Sequence, residues 1–229
     1  MKNDIIVKDN KIEYYFQYLD WDTHFFKTKS YNLVFEKSSL GVSEKIKNEI
    51  YEKFKNSFIS AKLDTNADNL IINFLGTCGF NYIDTEVTLK CSDAKTNVLQ
   101  NRPGWIIEIQ DTNRNLPYHE LGSSFLFTRF HSDCHIINTK ADELWIEYIK
   151  NYKPDENKKI YVARENEKII GCILVNFAKP DVALLFFVAT IKEYQGKSVS
   201  SAIISKIKED FQHIALITET QIKNHGAMN

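Results

Sequence analysis

The stretch DVALLFFVATIKEYQGKSVSSAIISKIKEDF, residues 181–211, is where the fold is most legible. Its first ten residues are apolar nearly throughout, which suits a strand buried on both faces. From Val199 onward apolar residues recur at Ile203, Ile207 and Phe211, with Ile204 beside them, while Lys206, Lys208, Glu209 and Asp210 turn to water. That period is helical. The polar run between the two therefore sits at a helix N-terminus, where the first backbone N–H groups have no intrahelical partner and the macrodipole is positive. An anion placed there gains about 0.3–1 kcal/mol from the dipole, besides its hydrogen bonds. Lys197 adds a mobile positive charge. Ser198, Ser200 and Ser201 are equally good helix caps, so the loop alone permits a phosphate site or a capped corner.

The neighbours of this stretch have a definite order. Thr139 and Asp142 have the spacing of a capping box before a helix whose Leu144, Trp145, Tyr148, Ile149 and Tyr152 share a face. Two strands follow, KIYVAR and KIIGCILVNF, joined by the turn residues ENE as a hairpin. Gly171 within the second strand predicts a bulge or a close backbone approach. After the 181–211 stretch come the strand HIALITETQ and the run N-x-x-A, from Asn224 to Ala227.

The first half is mixed α and β. Val42, Ile46, Ile50, Phe54 and Phe58 recur every four residues and predict a helix, flanked by strand-like runs SYNLVFE, FISAKL and NYIDTEVTLK. Residues 91–104 are polar and end in Pro-Gly, which places a boundary between an N-terminal α/β domain, residues 1–95, and a second domain, residues 105–229. No internal repeat or low-complexity tract is visible.

Composition excludes some classes of function. The 29 Lys and Arg against 30 Asp and Glu leave a net charge of -1, which is no footprint of a nucleic-acid or acidic-membrane binder. Cys78, Cys91, Cys134 and Cys172 form no C-x-x-C pair and read as reduced thiols. The amino terminus has no apolar leader, and no window approaches the roughly 18 apolar residues a membrane span needs, so the cytoplasm is the expected location. No metal is expected, since His24, His119, His131, His135, His213 and His225 do not combine with cysteines or carboxylates at recognisable ligand spacing.

Hairpin, apolar strand, Q-G-K loop, amphipathic helix, strand and N-x-x-A resemble the acetyl-CoA-binding core of the GNAT N-acetyltransferases. The family's loop pattern falls on Gln195, Gly196, Lys197, Ser198, Val199 and Ser200, with serine at both later small positions. If the position of Ser198 requires positive φ, serine there costs about 1–2 kcal/mol. Further out, LDWDTHFF at 19–26, DNLIINFLGTCGF at 68–80 and FTRFHSD at 127–133 look like the branch that includes TDP-fucosamine acetyltransferase. Trp21, Phe25 and Phe26 are expected as core anchors rather than ligand contacts.

The resemblance implies a GNAT acyl-CoA N-acyltransferase fold, a mixed α/β sheet preceded by a smaller α/β domain. Acetyl-CoA would be the co-substrate and the amine of a nucleotide-activated amino sugar the acceptor, in a chain with room for a homodimer. Residues 195–200 and Asn224 would contact the coenzyme, and a backbone N–H of Val188, Ala189 or Thr190 the oxyanion. Read from the residues, Arg129 and His131 alternate along an extended segment and would project toward a pocket, as a fork for a phosphate or carboxylate and a proton relay, or else are a surface arginine and a structural histidine. The family's general-acid tyrosine, and two further strands, fall beyond Asn229, so the domain is expected to be short at its C-terminus and its last turn to fray. A non-catalytic binder of CoA or nucleotide sugar and a protein N-terminal acetyltransferase remain as other readings.

Overall fold

A computed structural model describes residues 5–9, 12–38, 44–91 and 105–228. The boundary expected between residues 95 and 105 lies outside these, as does Val42. The chain forms two compact units, Met1–Tyr82 and Ile83–Asn229.

The first unit is a four-stranded sheet of β1 (Ile5–Asp9), β2 (Ile12–Tyr18), β3 (Ser30–Ser38) and β4 (Phe58–Ala61), in that spatial order. The first three strands are antiparallel, and β4 runs parallel to β3. The helices are α1 (Asp20–Phe26), α2 (Glu44–Phe54) and α3 (Asn69–Thr77). Alternation on the strands and the period of four on α2 bring Tyr14, Phe16, Leu33, Ile50 and Phe54 into one core, closed by Ile71, Phe74 and Leu75 of α3. Phe58, expected as the last turn of α2, instead begins β4. Asp68 caps α3 by accepting from the Leu70 amide at 2.9 Å. On α1 the expectation fails: Trp21 is 38% exposed and stacks on Phe25 at 5.3 Å, and no residue of this helix is buried. Seven residues with acidic side chains at two of the first three positions leave these rings on an outer face.

The second unit is a six-stranded sheet in the order β5-β10-β9-β8-β7-β6. Its strands are β5 (Glu86–Cys91), β6 (Trp105–Gln110), β7 (Lys158–Glu165), β8 (Lys168–Lys179), β9 (Val182–Thr190) and β10 (Ala215–Gln221). The strand read as part of the first half, β5, pairs antiparallel with β10. Only β9 and β10 run parallel, and the connection between them is helical. The helices are α4 (Tyr118–Gly122), α5 (Arg129–Ser132), α6 (Asn138–Asn151), α7 (Val199–Asp210) and α8 (His225–Met228). Val199, Ile203 and Ile207 of α7 are buried against the sheet, each burial contributing about 1.5–3 kcal/mol.

Two local readings need correction. No capping box starts α6: its N-cap is Ile137, without a side-chain cap, and Asp142 bonds His131 instead. Capping comes at the other end, where the Asn113 side-chain amide donates to the carbonyls of Ile149, Lys150 and Tyr152 at 3.0, 2.7 and 2.9 Å. Strand β9 is buried on one face only, with Ala183, Leu185, Phe187 and Ala189 inside and their neighbours half-buried. At Gly171 both expectations hold. The β7–β8 register slips beside it, and an added Cβ would lie 2.6 Å from Val199 Cγ1 and 3.3 Å from the Ala189 carbonyl oxygen. That absence of a side chain lets α7 settle onto the strand.

Candidate functional site: a parting of two parallel strands

Strand β9 pairs with β10 only along its first four residues, from Val182 opposite Ala215 to Leu185 opposite Thr218. At the last rung the Thr218 hydroxyl donates to the Leu185 carbonyl at 2.8 Å. Beyond it β10 continues against β5 alone, and β9 continues against β8 alone. The parting coincides with a β-bulge, since Leu174 faces Phe187 while Val175 faces Leu185, leaving Phe186 as the extra residue. The bulge sends two consecutive rings toward one aromatic group. Phe187 stacks on Phe125 at 4.5 Å, and Phe186 packs on Tyr148 and Tyr152 at 5.7 and 5.2 Å. The Phe-Phe pair inside an alternating strand was the sequence signal for this bulge.

The alternation of an antiparallel ladder assigns the amides of the open segment. Ile191 donates its N–H to the Ile170 carbonyl at 3.1 Å, so the Ala189 amide faces β8 as well. The amides of Val188 and Thr190 face the parted side. Of the three amides considered for an oxyanion, these two have the direction the role requires.

After Ile191 the chain makes a 3-10 turn, Lys192–Tyr194, then Gln195, Gly196, Lys197 and Ser198, and enters α7 at Val199. Gly196 has φ 73 and Ser198 φ 66, so the loop adopts the left-handed conformation twice, once on a residue with a Cβ. Ser198 is the N-cap residue but places no side-chain cap on the helix. Ser200 bonds through its hydroxyl to Thr190 Oγ1 at 3.0 Å, and the Gln195 side chain donates to the Thr190 carbonyl at 3.2 Å. Ser200 and Gln195 thus tie the loop to the strand, and Ser198 does not cap the helix with its side chain. The loop lies at the positive end of a twelve-residue helix, and within it the Gln195 and Lys197 amides donate to the Lys192 and Tyr194 carbonyls, each at 3.3 Å. Because β9 and β10 are parallel, Asn224, just past β10, lies at the same end of the sheet as this loop. Its side chain donates to Thr220 Oγ1 at 3.0 Å and its amide to the Gln221 carbonyl at 2.8 Å. The residues after it hold one short helical turn, α8.

Arg129 and His131 are not on an extended segment. They lie on the short helix α5, where an i, i+2 pair points in different directions. Arg129 is exposed, its guanidinium 4.6 Å from the centre of the Phe130 ring. The His131 ring is held between Thr128 Oγ1 at 2.7 Å and Asp142 Oδ1 at 3.1 Å, with its side chain only 10% exposed. It joins α5 to α6. A cluster that spacing did not single out is Asp133, Cys134 and His135, whose ligand atoms lie within 4.8 Å of one another on the exposed turn after α5.

On the β6–β7–β8 side of the sheet, a cleft of about 680 Å³ is lined by Ile106, Glu108, Arg164, Lys168, Ile169 and Ile191, among others. Arg164 donates to Glu108 across it. This cleft borders the start of the loop but is not the gap between β9 and β10. Among the described residues no helix is long and apolar enough to cross a membrane.

Residues 125–229 match the profile of the acetyltransferase (GNAT) family. No curated protein matches the chain in sequence. Among solved structures the chain resembles a functionally unknown conserved protein from Staphylococcus epidermidis, at 14% identity and TM-score 0.65, over 97% of this chain and 84% of that one. It also resembles a GCN5-related N-acetyltransferase from Kribbella flavida, at 10% identity and TM-score 0.60, over 95% and 80% of the two chains. A tandem GNAT protein from the clavulanic acid biosynthesis pathway matches at 11% identity and TM-score 0.54, over 98% and 76%. These likenesses show the fold, and with the match over residues 125–229 they identify the C-terminal part of the chain as a GNAT acetyltransferase domain.

Proposed function

We propose that this domain binds acetyl-CoA in the gap between β9 and β10 and transfers its acetyl group to the primary amine of a small-molecule acceptor. The observation that carries the proposal is the parting itself: open backbone on β9 leads directly into a loop of left-handed turns at the start of α7. The pantetheine arm would pair with the free edge of β9 like an added strand. Its diphosphate would rest against residues 195–200 at the positive end of α7, with Lys197 alongside and Asn224 across the gap. The neutral amine attacks the thioester carbonyl, forming the N–C bond. The Val188 or Thr190 amide receives the oxyanion, the C–S bond breaks, and the proton lost by the amine is balanced by the one gained by the thiolate.

For the acceptor we propose a nucleotide-activated amino sugar. The support is the joint order of the motifs at 19–26, 68–80 and 127–133. Arg129 is the candidate contact to its phosphates, with an exposed planar donor fork, and His131 fixes the short helix that carries it. Titration with acetyl-CoA tests the donor half. At 100 times its dissociation constant it stabilises the folded chain by about 2.7 kcal/mol, a rise of about 5–10 °C in melting temperature. An unmoved melting curve overturns donor binding. For the acceptor half, the protein is incubated with acetyl-CoA and a TDP-amino sugar, a peptide amine or a simple alkylamine. Preferential acetylation of the peptide would sink the sugar assignment.

A further inference from the structure

We propose that the hydrogen bond from Tyr194 to Glu165 is a latch that holds the loop before α7 in its anion-receiving shape, making Tyr194 a positioning residue for acetyl-CoA. This rests on the donor-binding reading above.

The loop has a conformation to hold. Left-handed backbone at Ser198 persists only where its surroundings over-determine it. The ties already described both go to Thr190: Gln195 reaches back to it, and Ser200 bonds it from within α7. Tyr194, just before Gln195, supplies a tie to a different strand. Its hydroxyl donates to Glu165 Oε2 at the end of β7, which anchors the 3-10 turn to the β7–β8 hairpin.

Glu165 is itself fixed. Its other oxygen accepts from Trp105 Nε1 at 3.2 Å, and Trp105 sits directly opposite it on β6. A carboxylate held by two donors from two elements is a fixed anchor for the loop, unlike a freely rotating surface glutamate. The two hydrogen bonds hold the Glu165 carboxyl below the usual carboxylate range, and the bond to Glu165 raises the Tyr194 hydroxyl, so the proton stays on tyrosine at neutral pH. The ring of Tyr194 also carries charge to the loop. Lys197 Nζ lies 4.7 Å and Lys168 Nζ 5.8 Å from its centre. One hydrogen bond thus sets the turn that presents the Gly196–Ser198 backbone and the ring on which two cations rest.

The test compares Tyr194→Phe and Glu165→Gln with the wild-type chain. Removing the hydroxyl keeps the ring, so the expected result is about three- to tenfold weaker binding of acetyl-CoA by calorimetry. KM for acetyl-CoA should rise by a similar factor at unchanged kcat and unchanged melting temperature. Amide hydrogen exchange at residues 195–198 should quicken in the free protein. Glu165→Gln, which keeps an acceptor oxygen, should fall between the two. Wild-type affinity and wild-type exchange in Tyr194→Phe overturn the latch, as does a loss of affinity matched by a fall in melting temperature and kcat. Failure of the wild-type chain itself to bind acetyl-CoA would overturn the donor site first, and the latch with it.

Discussion

The two units repeat one arrangement. In the first, β1, β2 and β3 are antiparallel neighbours with α1 between β2 and β3, α2 follows, β4 returns parallel to β3, and α3 comes next. In the second, β7, β8, β9, α7, β10 and α8 follow the same order without a counterpart of α1. Strand β4 pairs with β3 along its whole length, from Phe58 opposite Ser30 to Ala61 opposite Leu33, and ends there, whereas β10 runs on to Gln221 after its last rung with β9 at Leu185. The antiparallel pairs beside them, β2–β3 and β8–β9, each carry a register slip. The helices match too, with Ile50 and Phe54 leading to a strand start at Phe58, and Ile207 and Phe211 leading to one at Ala215. In the second unit eight residues, 191–198, lead from Thr190 to Val199. A strand, a helix and a returning parallel strand are therefore the scaffold of both units, and the parting belongs to the second. This loop, with its 3-10 turn, Gly196 and Ser198, belongs to the unit proposed to hold the donor.

The largest expected effect comes from matched cavities. Ile50 and Ile207 occupy the same place on α2 and α7 and are 5% and 0% exposed. Truncating either to alanine should cost about 2–5 kcal/mol, read as a fall in the denaturant midpoint. Only Ile207→Ala should also weaken acetyl-CoA, because only α7 presents the proposed anion site. Equal losses of donor affinity in both variants would break the distinction between the units.

Next in size is Gly171→Ala. The new Cβ would meet Val199 Cγ1 at 2.6 Å and the Ala189 carbonyl at 3.3 Å. Relief requires α7 to move off the strand, at about 1–3 kcal/mol. Since Val199 starts the helix, donor affinity should fall along with stability. A variant that loses stability but keeps its affinity would show that the start of α7 tolerates displacement.

At the fork itself Thr218 pins Leu185 by its hydroxyl, while Ala61, opposite Leu33 in the first unit, has none to offer. Thr218→Val should cost about 0.5–1.5 kcal/mol. If the pin sets where β9 leaves β10, the variant also shows faster exchange of the neighbouring ladder amides. Unchanged exchange there would assign the parting to the bulge at Phe186 alone.

Much of this was legible in the sequence because it is local. The period of four on α7, the hairpin turn after Glu165 and the polar loop are patterns within a dozen residues, and each folds as its spacing requires. What stayed hidden depends on partners far along the chain. The run 86–91 reads as a strand, but nothing in it names β10 as its neighbour. Asp142 has the spacing of a cap, and His131 on another helix takes it instead. The repeat was invisible because the two units share element order and helix spacing, with different residues on the strands. For the site, Gly196 and Ser198 fell where the loop pattern placed them. The direction of the Val188 and Thr190 amides could come only from the register with β8.

The smallest expected effect bears on the loop before α7. Ser198 holds φ 66, and a side chain in that region costs about 1–2 kcal/mol. Glycine there removes the strain, but it gives back about 0.5–1 kcal/mol through the greater freedom of the unfolded chain. Ser198→Gly should therefore stabilise by about 0.5–1 kcal/mol, a rise of about 1–4 °C in melting temperature. Ser198→Val, with a branched Cβ in the same conformation, should melt below the wild type. If the loop already has its donor-bound shape, glycine leaves acetyl-CoA affinity within about twofold. A marked loss would mean that the serine hydroxyl itself touches the donor, and an unchanged melting temperature in both variants would mean that the left-handed turn is not kept in solution.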